Sequence, residues 1–404
     1  MTTILTLADY YLPGTHAGGA LRSLANLIAT LGNELDFRVI TRDRDWLSDQ
    51  RYPGITPGTW EPVGPAKVMY LAPEDIRPST LRRVIAQTPH DVLYLNSLFS
   101  RVFTLGVLAY RRAGMIPDKP VVLAPRGQLT PGALGINARK KGAFLAAAKL
   151  AGLYRGITWQ ASSPDEEREV HEYFDTPRAP AHAVVAPDLP TPWDQLAVVT
   201  HRRKIAGSLA ATFISRIARK KNLLGAIDLL RGTTGDVAFD VYGPAEDPQY
   251  LRECEAAMAT LPPNVRARYA GPLEYDEIAP AFARYDVFLF PTLGENFGHV
   301  LIESLAAGCP VAVSDRTPFR DLEARGAGWV VPLEDPDRYR RALERCAAMG
   351  ADEHARMSNA ARDYARRVIE DPTPIEQNRR LFSCAASRAG ALPPVERAAA
   401  QNMA

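Results

Sequence analysis

Along most of the chain, short apolar runs alternate with stretches in which apolar residues recur every third or fourth position. Residues 4–8 read as a buried strand, and 20–31 as a helix with Leu21, Leu24, Leu27, Ile28 and Leu31 on one face. Further strands fall at 37–41, 68–71, 92–96 and 121–124, with helices near 80–87 and 101–113. Strands alternating with helices imply parallel βαβ units. Residues 186–192 then place prolines at 187, 190 and 192, which suits a stiff, non-helical linker. Beyond it the pattern restarts. Strands are expected at 211–215, 238–242, 265–269, 287–290, 311–313 and 329–331, and helices at 222–231, 276–284, 300–307, 336–349 and 354–369.

Two α/β halves of Rossmann-like size account for the 404 residues. The first spans 1–190 and the second 205–370, and 385–404, Ala-rich and without periodicity, reads as a disordered tail. At 46% hydrophobic and 23% charged, wholesale disorder is excluded. Lys+Arg 48 against Asp+Glu 46 gives a net charge of +2, which argues against a dedicated nucleic-acid binder. Cys254, Cys309, Cys346 and Cys384 form no CxxC pair, as expected of free thiols in a reducing compartment. No apolar run reaches the roughly 18 residues that span a bilayer. The first residues lack a basic leader, so a soluble cytoplasmic protein is expected.

The sharpest chemical signal is the stretch from Pro291 to Glu303, PTLGENFGHVLIE. A strand ends in a glycine-punctuated loop and a helix begins near Val300. Free amides and the positive end of a helix dipole therefore meet at the C-terminal edge of a parallel sheet, where phosphates bind. Glu295 stands in the loop and Glu303 one turn into the helix. Among Leu301, Ile302, Leu305 and Ala306, the Glu303 charge is costly unless hydroxyls satisfy it, and the vicinal hydroxyls of a ribose would do so. The alternative is that Glu303 caps a local network. Upstream, Arg216 and Lys221 follow a strand and precede a helix. Arg216 can fork onto two oxygens and Lys221 can act as a point charge, together a pyrophosphate clamp.

These motifs resemble the retaining, nucleotide-sugar-dependent glycosyltransferases of GT-B architecture, the family four type. The resemblance covers about 211–331. It rests on the R-x4-K of Arg216 and Lys221, the Val241-Tyr-Gly243-Pro244 and Tyr269-Ala-Gly271-Pro272-Leu273 turns, and the E-x7-E of Glu295 and Glu303 followed by Ala307-Gly308-Cys309-Pro310. It implies two Rossmann-like domains whose parallel sheets face across a cleft, with the helix at 371–384 crossing back to the first. Arg216 and Lys221 would bind the donor diphosphate, and Glu303 the ribose. Glu295, Asn296, His299 and the amides of Phe297 and Gly298 would address the donor sugar; the amides near Val300 and Leu301 would hold a phosphate. Gly243, Pro272 and Leu273 would lie on the donor side near the base. In the first half, the loop from Pro13 through Gly18 and Gly19 resembles the family's glycine-rich loop.

Where many relatives carry a histidine near the reacting sugar, this chain reads Ala124-Pro125-Arg126-Gly127, similar to the subset linked to capsule, O-antigen and exopolysaccharide assembly. Arg126 would replace the histidine electrostatically, although an arginine cannot be a general base. The implied reaction is a retaining transfer from a UDP- or GDP-linked sugar to a glycan or lipid-diphosphate-linked acceptor. It uses no cofactor and no metal, because the cations and the helix N-terminus stabilise the leaving phosphates. The segment 101–164 carries ten basic residues and only Asp118 as an acid. Within it, 137–154 reads as an amphipathic helix in which Arg139, Lys140 and Lys141 would meet the acceptor or the inner face of the plasma membrane. Rival readings are a GT-B sugar-nucleotide epimerase and a non-catalytic sugar-nucleotide-binding protein.

Overall fold

The computed structural model describes residues 1–130, 138–176, 180–196 and 199–388. The chain divides into two units, Met1–Asp188 with Pro372–Ala404, and Leu189–Asp371. The first unit runs β1 (Thr2–Leu7), α1 (Gly19–Leu31), β2 (Leu35–Arg42), β3 (Trp60–Val63), β4 (Ala66–Leu71), α2 (Pro78–Gln87) and β5 (Val92–Asn96). A π-helical turn, Arg101–Gly106, leads into α3 (Val107–Arg112), followed by β6 (Val121–Ala124), α4 (Ala138–Leu150), β7 (Ile157–Ala161), α5 (Pro164–Phe174) and β8 (His182–Val185). Its eight strands are ordered β3-β4-β2-β1-β5-β6-β7-β8, all parallel except β3 on β4. Every residue of β5, β6 and β7 is buried, as a parallel sheet covered on both faces requires. β3 carries Pro62 and forms an edge, where a missing N–H is tolerated.

The second unit runs β9 (Ser208–Ile214), α6 (Leu223–Leu230), β10 (Asp236–Tyr242), α7 (Pro248–Met258), β11 (Val265–Tyr269), α8 (Tyr275–Phe282), β12 (Val287–Phe290), α9 (His299–Ala306), β13 (Val311–Ser314), β14 (Gly328–Val331), α10 (Pro336–Ala348) and α11 (Ala351–Ile369). All six strands are parallel, in the order β11-β10-β9-β12-β13-β14. This is the doubly wound arrangement, whose order reverses between β9 and β12 and opens a crevice there at the carboxyl ends of the strands. The core holds Phe213, Phe239, Phe288 and Phe290, none exposed. α12 (Thr373–Arg388) belongs to the first unit. Its Phe382 meets Phe37 and Tyr94 edge-on at 6.0 and 5.3 Å, and its Asn378 donates to the Pro187 carbonyl at 2.8 Å.

Several expectations need correction. The second unit starts at Leu189, ahead of 205, because Arg202 and Lys204 each approach the fully buried Asp286 carboxylate at 3.1 Å. The helix expected at 371–384 runs on to Arg388, so 385–388 are ordered helix, and 389–404 lie outside the described residues. Around 137–154 the helix is Ala138–Leu150, and its apolar residues do not form a free stripe. Leu145 and Ala148 are buried at 6% exposure, Leu145 in the unit's own core, whereas Leu150 at 92% faces water.

Candidate active site

In the second unit, the loops after β9 and β12 meet where the strand order reverses. Asn222, in the left-handed conformation at φ 59°, caps α6 and donates its side-chain amide to the Pro291 carbonyl at 2.8 Å. The Leu293 amide donates to the Lys220 carbonyl at 3.0 Å, and the Glu295 amide to the Arg316 carbonyl at 2.9 Å. These bonds fix the two motifs in register, so that Lys221 and Glu295 form a mostly buried ion pair, exposed by 13% and 10%, with the Lys221 ammonium 5.6 Å above the Phe290 ring. Arg216 pairs with Glu246 at 2.8 Å, and Arg219 with Glu253 at 2.7 Å. Arg216, Arg219 and Lys221 thus each rest on a carboxylate. A diphosphate entering here would take over those partners with stronger, charge-assisted bonds.

Gly243 is the tightest point. At φ 136°, a Cβ on it would stand 1.9 Å from the Ser215 carbonyl oxygen, so only glycine lets this turn lie against the Ser215–Arg216 backbone. Its amide donates to the Gly271 carbonyl at 3.0 Å and its carbonyl accepts from the Tyr269 hydroxyl at 2.8 Å, which joins both glycine–proline turns beside Arg216. Pro272 is exposed, and Leu273 is half-buried against the core.

Gly298, at φ 83°, caps α9, whose own hydrogen bonding starts with the Leu301 amide donating to the Gly298 carbonyl at 2.9 Å. This corrects the expectation for Leu301: its amide serves the helix and its side chain is buried, leaving His299 and Val300 in the turn that faces out. The rings of Phe297 and His299 sit 4.7 Å apart, and Asn296 is half-buried beside them. Glu303 is half-buried on the same side of α9 as Val300, while Leu301, Ile302, Ser304 and Leu305 are buried. The residue therefore keeps part of its surface in water, a milder placement than the apolar surroundings in sequence suggested.

In the first unit, Gly18, at φ 75°, precedes α1, which begins at Gly19. The glycine-rich loop is anchored by residues that sequence reasoning missed. Asp45 accepts from the amides of Thr15 at 2.7 Å and His16 at 3.0 Å, and Tyr70 donates to the Leu12 carbonyl at 2.6 Å. The fully buried Asp43 shapes the segment that carries Asp45, accepting from Arg44 at 2.8 Å and Arg51 at 2.9 Å. Burial works to raise the Asp43 carboxyl, but the two arginines outweigh it and hold it below the usual aspartate value.

Arg126 is held by a network of its own. Its side chain is only 6% exposed and pairs with Asp188, while donating to Asn96 at 2.7 Å and to the Tyr94 hydroxyl at 2.6 Å. Tyr94 donates in turn to Gln160, and Gln160 to Asn378 at 3.2 Å. The guanidinium thus ties β5, the segment ending at Asp188 and, through Tyr94 and Gln160, α12 together. The Arg139, Lys140 and Lys141 side chains lie outside the described residues.

Residues 202–364 match the family model of the Glycosyl transferases group 1. The chain is 36% identical over 123 residues to a phosphatidyl-myo-inositol mannosyltransferase of Mycolicibacterium smegmatis, covering 30% of either chain. It is 26% identical over 226 residues to a D-inositol 3-phosphate glycosyltransferase of Corynebacterium urealyticum, covering 52% of either. It thus spans no more than about half the length of these curated relatives. Among solved structures, sucrose-phosphate synthase of Thermosynechococcus elongatus superposes with a TM-score of 0.72 at 16% identity, over 96% of this chain and all, 100%, of that one. Anabaena HepE in complex with UDP and glucose gives 0.67 at 14%, over 96% and 100%. The fold is therefore GT-B, and the matched stretch of the second unit is similar to the Glycosyl transferases group 1. Among the described residues, no helix is long and apolar enough to cross a membrane.

Proposed function

We propose that the protein is a glycosyltransferase that moves a sugar from a nucleoside diphosphate sugar to a hydroxyl of a phosphate-bearing or lipid-linked acceptor. The observation that carries this reading is the Lys221–Glu295 ion pair, which unites the R-x4-K and E-x7-E motifs at the sheet's reversal point beside the N-terminus of α9. Arg216 and Lys221 would release their carboxylates to the donor diphosphate and, with the first amides of α9, stabilise the charge that develops on it as the glycosidic C–O bond breaks. Lys221 leaving it frees Glu295 to accept hydroxyls of the donor sugar. The acceptor oxygen bonds to the anomeric carbon from the face the leaving group vacates, giving retention, and its proton passes to an oxygen of the departing β-phosphate. The charge stabilisation otherwise asked of a divalent ion comes from two side-chain cations and a helix end, so metal independence is part of the proposal. The names of the curated relatives, with phosphatidyl-myo-inositol and inositol 3-phosphate in them, support an acceptor that carries phosphate. Action at the cytoplasmic face of the membrane, in surface glycan or glycolipid assembly, fits that acceptor class.

The test is release of UDP or GDP from a panel of UDP- and GDP-sugars, with and without EDTA. Hydrolysis or transfer should persist in EDTA. Lys221→Ala should lower kcat by about 100- to 1000-fold, as loss of one group that stabilises charge in the transition state does elsewhere, and Glu295→Ala should abolish it. Full activity in Glu295→Ala, or activity lost to EDTA and restored by Mn²⁺, would overturn the assignment.

A further inference from the structure

The second unit holds a cavity of about 490 Å³ between α6 and α10, of a size for one small molecule. Asn222, next in sequence to Lys221, stands at one end of it. Glycine inside a helix is unfavourable, yet Gly225 is required in α6: a Cβ there would lie 2.4 Å from the Asn222 side-chain nitrogen. The missing side chain leaves room for Asn222 to fold over the first turn and donate to the Pro291 carbonyl at 2.8 Å. The Asn222 Oδ1 accepts no hydrogen bond among the described residues. Tyr339 of α10 belongs to the lining; it is 1% exposed, and its hydroxyl has no hydrogen-bond partner among the described residues. A buried polar group left unpaired is both unfavourable and uncommon. Burial first, and then the Asp315 carboxylate, raise this phenol above its ordinary value, so it stays a neutral donor.

The charges around the cavity are already matched, Asp228 with Arg231 at 3.0 Å and Arg340 with Asp337. The remaining walls are apolar, from Leu229, Pro291, Leu333 and Pro336. An ion would find no unmatched countercharge here, and a sugar would turn most of its hydroxyls against leucine and proline. The lining suits a flat, uncharged molecule with apolar faces and with one donor and one acceptor on its edge.

We propose that this cavity binds a neutral heteroaromatic ring of the lactam or nucleobase type, as an effector held apart from the donor. Its N–H donates to the Asn222 Oδ1. Its carbonyl accepts from the Tyr339 hydroxyl as that side chain tilts into the cavity, and its faces lie against Leu229 and Pro336. Because Asn222 also holds the Pro291 carbonyl, an occupant steadies the register of the loops that carry Lys221 and Glu295. The effect on donor binding rests on the glycosyltransferase reading; the binding of the ring does not.

Saturation-transfer NMR on the full chain tests this, with 2-pyridone as the probe. Of the controls, N-methyl-2-pyridone lacks the donor, toluene lacks both polar groups and nicotinate carries a charge. The probe should bind about tenfold more tightly than each control, and Tyr339→Phe should remove most of that advantage. Leu229→Trp fills the cavity from the facing helix and should abolish binding, which keeps the test valid if Tyr339→Phe disturbs the core. Saturating UDP should leave the probe bound, and by linkage the probe should tighten UDP about fivefold. Displacement by UDP, equal binding of toluene, binding unchanged in both variants, no binding of the probe, or UDP affinity unaltered by it would overturn the proposal. If UDP does not bind at all while Tyr339-dependent binding of the probe stands, the glycosyltransferase reading falls alone.

Discussion

At the scale of single residues, the structure turns on a few positions where substitution should have distinct signatures. Gly243→Ala would drive a methyl into the Ser215 carbonyl, 1.9 Å from the ideal Cβ, at a φ that side chains rarely adopt. The turn must move, and Arg216 with it. Loss of the nucleotide-induced thermal shift, together with a stability loss of several kcal/mol in urea, is the expected result. Asp43 gives a pH signature. Its carboxyl titrates lower in the folded protein than when unfolded, so its contribution is complete above the ordinary aspartate value of 3.8 and fades as pH falls through the lower folded value. Asp43→Asn should be less stable than wild type at neutral pH and converge on it in acid, as pH-dependent urea unfolding would measure. Arg216, Lys221, Glu295 and Glu303 were legible in the sequence because their spacing is tied to strand and helix ends. Asp45 and Tyr70 were not: an isolated aspartate or tyrosine has no local pattern, and its role appears only once β2 and β4 bring it under a loop tens of residues away. Asp43 was missed although its partners Arg44 and Arg51 are near in sequence, because adjacent charges alone do not show which of them is buried. Arg126 was legible as unusual, but its inward direction depends on Asp188 and Tyr94, which lie on other strands and segments.

At the scale of elements, most central strands announced themselves as unbroken apolar runs, as strands covered on both faces usually are. β7 is the exception: it is buried throughout, but Thr158 and Gln160 interrupt its apolar run and it was missed. The other missed elements lie where burial is partial. β8 is only partly buried along its length, and β3 is a proline-bearing edge. α5 buries only Glu166, Val170 and Phe174, so its remaining charges read as an acidic block instead of a helix. α7 was missed for a related reason: it buries only Tyr250, Cys254 and Met258. Its start nevertheless has a clear signal, Asp247 before Pro248, with the aspartate accepting from the Tyr250 amide at 3.0 Å. Asp247 also lies 3.4 Å from Arg219, so the cap of α7 borders the cationic loop. Asp247→Ala should therefore cost about 1 kcal/mol of stability. It should also weaken donor binding less than Lys221→Ala does, a difference that calorimetry with the preferred nucleotide can resolve.

At the scale of the whole molecule, the opening estimate of two α/β halves holds, but the first half is not contiguous in sequence. α12 supplies Phe382 and Asn378, neither of them exposed, to a unit whose other elements precede Asp188. Phe382→Ala should cost about 3–5 kcal/mol, and the loss should appear in the unfolding of the first unit while that of the second is unchanged. Differential scanning calorimetry with and without nucleotide can separate the two, since a ligand of the second unit raises only its own transition. The same discontinuity imposes an order on biosynthesis. A chain emerging from the ribosome presents the first unit's strands before the second unit exists, yet the wedge of Phe382 between Phe37 and Tyr94 arrives last. The part made second can close first, and the part made first must wait with an open seam that a chaperone, or a neighbouring nascent chain, can reach.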